Sequence, residues 1–398
     1  MGGRVLVVGA SVAGATAAEV LARAGVETLL LERELGRPKP CGGAVPPAAF
    51  TEFDIPERVI DRKVRQCVVL SPRGAVVQFP VVGSVPGSDD FVAMVRREVF
   101  DGFLRERAQE AGATLMHGGL VRLYVLDDRV EAVYRDSAGR ERMVGADAVI
   151  GADGAYSTVG KFLGVRQTVS SVGVQERIAL PPARLERWAE TADMILGPEV
   201  SPDFYGWVFP KGDHVTVGVG VGRAHGRKAR QFLANLKVRL GSALEGGRVV
   251  AFESHGLPMQ PCRQLAFDRA MLVGDAAGLV ARTSGEGIYW AMRSGAMAAE
   301  VLAECADVPS RARLRRYEQR WWGEFGGMYA FLRGLEWWGY GGERQMEVFA
   351  RMCRNEDVQR LTFDSYMYKR LVRAPWGAQM RMTRDILVNQ VAVYTGRG

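Results

Sequence analysis

Arg4-Val5-Leu6-Val7-Val8-Gly9-Ala10-Ser11-Val12-Ala13-Gly14 decides the fold of the N-terminal part of the chain. Val5 to Val8 form a short apolar run rich in β-branched residues, which reads as a buried strand. The glycine loop follows at once, and Ala-rich helical sequence then runs to Ala24, where Gly25 stops it. A second apolar run, Thr28 to Leu31, ends in Glu32 and Arg33. The spacing predicts a strand–helix–strand unit of the dinucleotide-binding kind. Gly9 permits the tight turn, and Gly14, beside the small Ala13, lets the helix pack close to the strand. The helix N-terminus offers free N–H groups to a pyrophosphate. Glu32, 18 residues beyond Gly14, stands at a strand end where a carboxylate holds both ribose hydroxyls of an adenosine. Ser11 occupies the place of the usual second glycine; its hydroxyl either donates to the phosphates or crowds them. A strand–turn–helix without a ligand is the plainer alternative, and the acid at the right distance weighs against it.

The 398 residues suffice for two or three domains, and 47% hydrophobic with 24% charged residues is an ordinary globular composition. Five cysteines (41, 67, 262, 305 and 353) form no Cys-x-x-Cys pair and are odd in number, so a reduced compartment without disulfides is expected, and no metal site. The strand beginning at Arg4 leaves no room for a signal peptide, and no apolar run approaches the roughly 20 residues that a spanning helix needs. Residues 311–398 carry 16 Arg and Lys against nine Asp and Glu, so this tail holds the whole net charge of +7. Five of the eight tryptophans lie there too. The pattern predicts a local binding surface rather than a generally basic, nucleic-acid-binding protein.

Further along, Pro38-Lys39-Pro40-Cys41-Gly42-Gly43 is too turn-rich for helix or regular strand, and its paired glycines let the backbone approach something flat. Arg96-Arg97 opens a helix whose apolar face is Phe100, Phe103, Leu104 and Ala108, closing at Gly112. Leu120 to Val149 reads as a strand meander. Val149-Ile150-Gly151-Ala152-Asp153-Gly154 and Met271-Leu272-Val273-Gly274-Asp275 each run an apolar strand into a glycine and an acid. Gly285-Glu286-Gly287-Ile288 then leads into a long helix. Each acid alone could merely cap a turn; three such motifs in this order are harder to dismiss. Together they resemble the FAD-dependent oxidoreductases built like the aromatic hydroxylases. That resemblance implies Glu32 on the adenosine ribose, Arg97, Asp153 and Gly154 near the pyrophosphate, and Gly274 and Asp275 at the ribityl chain. It places the backbone of Gly285, Gly287 and Ile288 against the flavin, where a helix N-terminus favours the negative charge of the reduced ring.

Between these signals lies Pro202-Asp203-Phe204-Tyr205-Gly206-Trp207-Val208-Phe209-Pro210. With period 2, Tyr205, Trp207 and Phe209 share one face of a strand that Pro210 ends. A core strand filled with aromatics is the commoner use of such a pattern; Gly206 argues against it. With Pro40-Cys41-Gly42-Gly43, Ser284-Gly285-Glu286-Gly287-Ile288-Tyr289 and Leu361-Thr362-Phe363-Asp364-Ser365-Tyr366-Met367-Tyr368-Lys369, this motif resembles the geranylgeranyl reductases, and most closely their chlorophyll and bacteriochlorophyll branch. The resemblance covers nearly the whole chain.

It implies a mixed α/β (α+β) fold: a Rossmann-like FAD-binding domain (1–65, 96–168 and 265–310), interleaved with an antiparallel-sheet substrate domain (66–95 and 169–264) and followed by a helical region (311–398). It further implies NADPH-dependent saturation of three double bonds of a geranylgeranyl group, on bacteriochlorophyll esters or on geranylgeranyl diphosphate, to give phytyl. The expected location is peripheral, on the cytoplasmic side of a photosynthetic membrane, in contact with other pigment-synthesis enzymes. An archaeal-lipid type of reductase and a flavin hydroxylase are the alternatives. Chemically, an isolated alkene is a poor hydride acceptor, so a proton must arrive early and leave carbocation character. Tyr205, Trp207 and Phe209 suit that cation, since aromatic faces within about 6 Å stabilise it without being attacked. Cys41, also a candidate cofactor contact, and Tyr205 are the candidate proton relays.

Overall fold

The parallel βαβ unit forms as its sequence dictates. In the computed structural model, which describes residues 3–82, 90–165, 169–305, 308–371 and 373–395, the strand Arg4–Val8 has Val5, Leu6, Val7 and Val8 buried on both faces. It pairs in parallel with Glu27–Glu32 on one side and Ala148–Gly151 on the other. Residues Ala270–Leu272 extend the parallel run beyond Ala148–Gly151. These strands are part of an eight-stranded mixed sheet, whose remaining members include the meander Thr114–Val125, Val130–Asp136 and Glu141–Ala146. The meander begins six residues before Leu120, because the first part of Thr114–Val125 pairs in parallel with Glu27–Glu32 before its second part turns antiparallel. The helices Val12–Arg23 and Ile288–Ala303 pack through small residues: a Cβ on Gly295 would lie 2.3 Å from the Ala13 carbonyl oxygen. These elements belong to one unit, formed by residues 1–39, 97–170 and 257–327.

The second unit comprises residues 40–96, 171–256 and 328–398. Its seven-stranded sheet runs Arg248–Leu257, Ser171–Ala179, His214–Gly222, Ser201–Pro210, Thr191–Gly197, Gln66–Leu70 and Val76–Pro80. Ser171–Ala179, His214–Gly222, Ser201–Pro210 and Thr191–Gly197 pair antiparallel in turn, as do Gln66–Leu70 and Val76–Pro80, whereas Thr191–Gly197 and Gln66–Leu70 pair in parallel. The strand His214–Gly222 alternates strictly. Val215, Val217, Val219 and Val221 are fully buried with Leu233, Leu236 and Leu240 of the helix Ala229–Leu240. Gly218, Gly220 and Gly222 occupy the other face.

Glycines do not interrupt the first part of the tail, whereas Gly341 and Gly342 separate its first helix from Glu343–Met352. One helix runs from Arg311 to Gly339 through Gly323, Gly326, Gly327 and Gly334. Each glycine costs about 1 kcal/mol relative to Ala. The apolar stripe Leu314, Tyr317, Trp321, Phe325, Met328 and Leu332, every member buried, offsets this. In the doublets Trp321-Trp322 and Trp337-Trp338 the members differ in burial: Trp321 is fully buried against Trp290 and Phe325 and Trp322 half-buried, while Trp337 is 82% exposed and Trp338 half-buried. No described helix is long and apolar enough to cross a membrane. All five cysteines are free thiols; Cys262, Cys305 and Cys353 are buried, Cys41 and Cys67 half-buried.

Candidate active site

Three of the sequence motifs converge within the first unit because their strands are parallel neighbours. Gly9, Asp153 and Asp275 therefore follow the carboxyl ends of Arg4–Val8, Ala148–Gly151 and Ala270–Leu272, the edge where open parallel sheets bind ligands. Gly9 has φ +99°, and a Cβ there would lie 2.5 Å from the Ala152 carbonyl oxygen; one on Gly14 would lie 1.7 Å from the Gly9 oxygen. The loop thus fits only as glycine at both positions. The helix Val12–Arg23 has no side chain capping its N-terminus, so N–H groups remain for an anion. Glu32 accepts from Ala10 N–H at 2.7 Å through one carboxylate oxygen and from Glu34 N–H at 2.9 Å through the other. This fixes the carboxylate and leaves lone pairs on both oxygens. Arg33 points to solvent beside Glu34.

Ser11 neither caps the helix nor stands free. Its hydroxyl donates to Asp101 at 2.8 Å and accepts from Arg97 at 2.8 Å, while Arg97 also binds Asp101 through two nitrogens. Arg97 and Asp101 are 4% and 6% exposed. Arg97 is therefore held at the glycine loop by a buried, hydrogen-bonded ion pair. The carboxylate of Asp153 accepts from the Ser157 hydroxyl at 2.5 Å and from the N–H groups of Thr158 and Val159 at 2.6 and 3.0 Å. It closes the N-terminus of the short helix Thr158–Phe162. Burial pushes its pKa upward against those bonds. Gly154, which follows it, has φ +83° and open space beside it. Asp275 pairs with Lys39 at 2.6 Å. Gly274 has φ +55° and packs on Ala13 and Ala291. Gly285, with φ +66°, Gly287 and Ile288 form the entry to the helix Ile288–Ala303, where Glu286 accepts from Tyr289 N–H at 2.8 Å.

The second unit holds the aromatic face. Tyr205 and Trp207 have ring centroids 6.0 Å apart, and Trp207 and Phe209 are 6.1 Å apart. Phe204 stacks on Tyr205 at 4.7 Å, and Tyr340 extends the row at 6.4 Å from Tyr205. Burial, reinforced by Tyr205, holds the Tyr340 phenol well above its usual range. The glycine face of His214–Gly222 makes the room: a Cβ on Gly218 would lie 2.3 Å from the Trp207 ring, and one on Gly220 would lie 2.1 Å from Phe204. The Cys-Gly-Gly turn rests on the same row, since a Cβ on Gly42 would lie 2.7 Å from Phe209 and 3.5 Å from the Trp207 indole nitrogen. Gly43 N–H donates to the Cys41 sulfur at 3.3 Å, and Gln175 donates to the Cys41 carbonyl at 3.1 Å. The Trp207 indole N–H is buried without a partner among the described residues. A buried orphan donor costs about 1–3 kcal/mol, so it suits an acceptor supplied by a bound molecule.

Sequence reasoning gave no role to Asp101, Lys39, Tyr340 or Lys211. Lys39 lies inside the quoted Pro38–Gly43 turn and Lys211 directly after the aromatic motif, whereas Asp101 and Tyr340 carry only charge or aromaticity.

The glycine cradle, the uncapped helix and the placed Glu32 carboxylate all fit FAD. Residues 3–39 and 76–321 match the family described as FAD binding domain, and the protein is an FAD-dependent oxidoreductase. Geranylgeranyl diphosphate reductase from Synechocystis sp. is 40% identical, the match covering 96% of each chain. The chloroplastic enzyme of the same name from Nicotiana tabacum is also 40% identical, over 92% of this chain and 81% of its own. This chain belongs to the geranylgeranyl reductase family. Among solved structures, a geranylgeranyl bacteriochlorophyll reductase-like protein from Thermoplasma acidophilum shares the fold, with a TM-score of 0.73, 23% identity, and 99% and 98% of the two chains covered.

Proposed function

We propose that the enzyme saturates three double bonds of a geranylgeranyl group to give phytyl, using NADPH, in bacteriochlorophyll biosynthesis. The substrate is geranylgeranyl-bacteriochlorophyll, geranylgeranyl diphosphate, or both. The observation that carries this reading is the aromatic row Tyr205, Trp207 and Phe209, floored by side-chain-free glycines and touching the Cys-Gly-Gly turn. Bound FAD supplies the hydride for the alkene. Glu32 holds the adenosine ribose, the glycine loop and Arg97 take the pyrophosphate, and Asp275 with Lys39 takes the ribityl hydroxyls. The aromatic faces stabilise the tertiary cation that develops as the double bond is protonated, and they exclude the water that would trap it. Cys41 lies beside that row, held through its carbonyl and sulfur.

Membrane contact belongs to the same proposal. On the helix Trp376–Thr395, Trp376, Met380, Leu387 and Val391 are exposed beside Arg381 and Arg384, which pair with Asp357 and Asp385, an apolar surface with charged flanks suited to lipid headgroups. The test is purified protein with NADPH and each geranylgeranyl substrate, read by mass spectrometry, where every reduction adds two hydrogens. No mass gain on either substrate refutes the reading. Oxygen incorporation instead would make the enzyme a hydroxylase.

A further inference from the structure

A buried cation stands at the end of the aromatic strand. Lys211 follows Pro210, is 2% exposed, and donates through Nζ to the Gly42 carbonyl at 2.9 Å and to the Pro210 carbonyl at 3.2 Å. Its third N–H has no acceptor among the described residues. A Cβ on Gly43 would lie 3.3 Å from this nitrogen, so the ammonium sits under the turn whose Gly42 rests on Phe209 and Trp207.

We propose that Lys211 is the general acid that protonates the isoprenoid double bond, its ammonium held under the Cys-Gly-Gly turn by the Gly42 and Pro210 carbonyls. The proposal rests on the geranylgeranyl-reductase reading above.

Charge conservation is the physical reason. A thiol such as Cys41 or a phenol such as Tyr205 becomes an anion on giving up its proton, so a cation and an anion would appear together in a dry site. An ammonium instead passes its positive charge to carbon, and the number of charges stays the same. Burial lowers the Lys211 pKa to about 8, close to a working pH. Cys41 and Asp61 act in the opposite direction, and Arg96 and Arg177 reinforce the lowering. The neighbouring Asp213 and His214 are paired with each other, and Arg62 binds the Lys211 carbonyl. In the step itself a Lys211 N–H bond breaks as a C–H bond forms at the less substituted alkene carbon. The other carbon takes the hydride that the reduced cofactor supplies, and the neutral amine regains its proton from water between turnovers.

Stopped-flow mixing of anaerobically reduced enzyme with geranylgeranyl diphosphate tests this in wild type, Lys211→Met and Lys211→Arg. An acid must be protonated to act, so the wild-type alkene step should slow as pH rises through about 8. Lys211→Arg keeps the charge and a donor to Gly42 but is far too weak an acid. Both variants should lose roughly 100-fold or more in alkene reduction, with flavin content and flavin reduction by NADPH unchanged. Alkene reduction at the wild-type rate in Lys211→Arg would make Lys211 a positioning cation and overturn the proposal, as would a wild-type rate that is flat through pH 8. If Lys211→Met does not fold, the arginine variant and the wild-type pH profile still decide. Wild type that reduces no geranylgeranyl substrate overturns the functional reading and the acid with it. Active wild type with active variants overturns the acid alone.

Discussion

Adding one carbon to the glycine face of His214–Gly222 separates a wall that acts in catalysis from one that only fills space. In Gly218→Ala the new Cβ would lie 2.3 Å from the Trp207 Cζ2 atom, 2.5 Å from its Cε2 and 2.7 Å from the Gln175 Cβ. Carbon contacts are comfortable near about 3.5 Å, so the indole must retreat by roughly 1 Å. It has little room, because Gly42 lies on its other side and the Tyr205 and Phe209 rings flank it at 6.0 and 6.1 Å. Such overpacking costs about 1–3 kcal/mol in stability. The control is Val217→Ala, whose side chain is fully buried on the opposite face and whose loss costs about 2 kcal/mol. The two variants should be destabilised alike in thermal or urea unfolding but differ in chemistry. Displacing the indole from its cation-facing position should remove about 1.4 kcal/mol of transition-state stabilisation, a tenfold slower alkene half-reaction. Val217→Ala should keep the wild-type rate, and flavin reduction should be unaffected in both. Equal slowing in the two variants, or none in Gly218→Ala, would return the aromatic row to the role of core filler.

Trp207→Phe should slow the alkene half-reaction roughly tenfold while scarcely changing substrate binding, because Phe is the weaker cation–π face; stopped-flow comparison of the two half-reactions decides it. Asp275→Ala should purify with much less flavin, since Lys39 loses its 2.6 Å partner at the proposed ribityl site; full absorbance at the flavin maximum would refute that assignment. Binding of the protein to anionic liposomes should fall as salt rises and drop sharply in an Arg381→Gln, Arg384→Gln double variant, read by flotation. Burial pushes the carboxyl of Glu347 up, but hydrogen bonds from Ser71, from Arg351 Nε at 2.9 Å and from Arg73 N–H at 3.1 Å outweigh it and hold its pKa below the ordinary 4.5. Its stabilising contribution is therefore complete above that ordinary value and is lost as pH falls through the lower folded one. Glu347→Gln should lower stability at neutral pH and flatten this part of the acid-unfolding curve.

The nucleotide-binding unit was legible because its chemistry is local: strand, glycine loop, helix and acid all lie within about 30 residues, the length of one such unit. The aromatic strand was legible for the same reason, since period 2 alone places Tyr205, Trp207 and Phe209 on one face. What was not legible depends on residues far apart in sequence. Gly218 and Gly220 lie in a strand pattern that by itself does not tell what packs on them, and the structure puts Trp207 and Phe204 there. Ser11 offered two readings, and the structure shows a third, a hydroxyl tied to Asp101 and Arg97. Asp153 carried the sequence signature of both a ligand group and a cap, and only its bonds to Ser157, Thr158 and Val159 show the capping. Gly326, Gly327 and Gly334 stay helical because propensity is a local quantity, whereas the buried stripe from Leu314 to Leu332 that outweighs it is not.

The thiols give this enzyme a built-in chemical reporter. Burial pushes Cys67 and Cys353 up to about 12 and raises Cys262, and Cys305 is buried with its sulfur donating to the Val301 carbonyl. A mild alkylating reagent near neutral pH should therefore mark Cys41 first, at the turn that lies on Phe209. The size of the attached group then acts as a ruler: small adducts measure how much of the slot the substrate fills, and protection by an isoprenoid of graded length shows how far along the aromatic row each unit reaches.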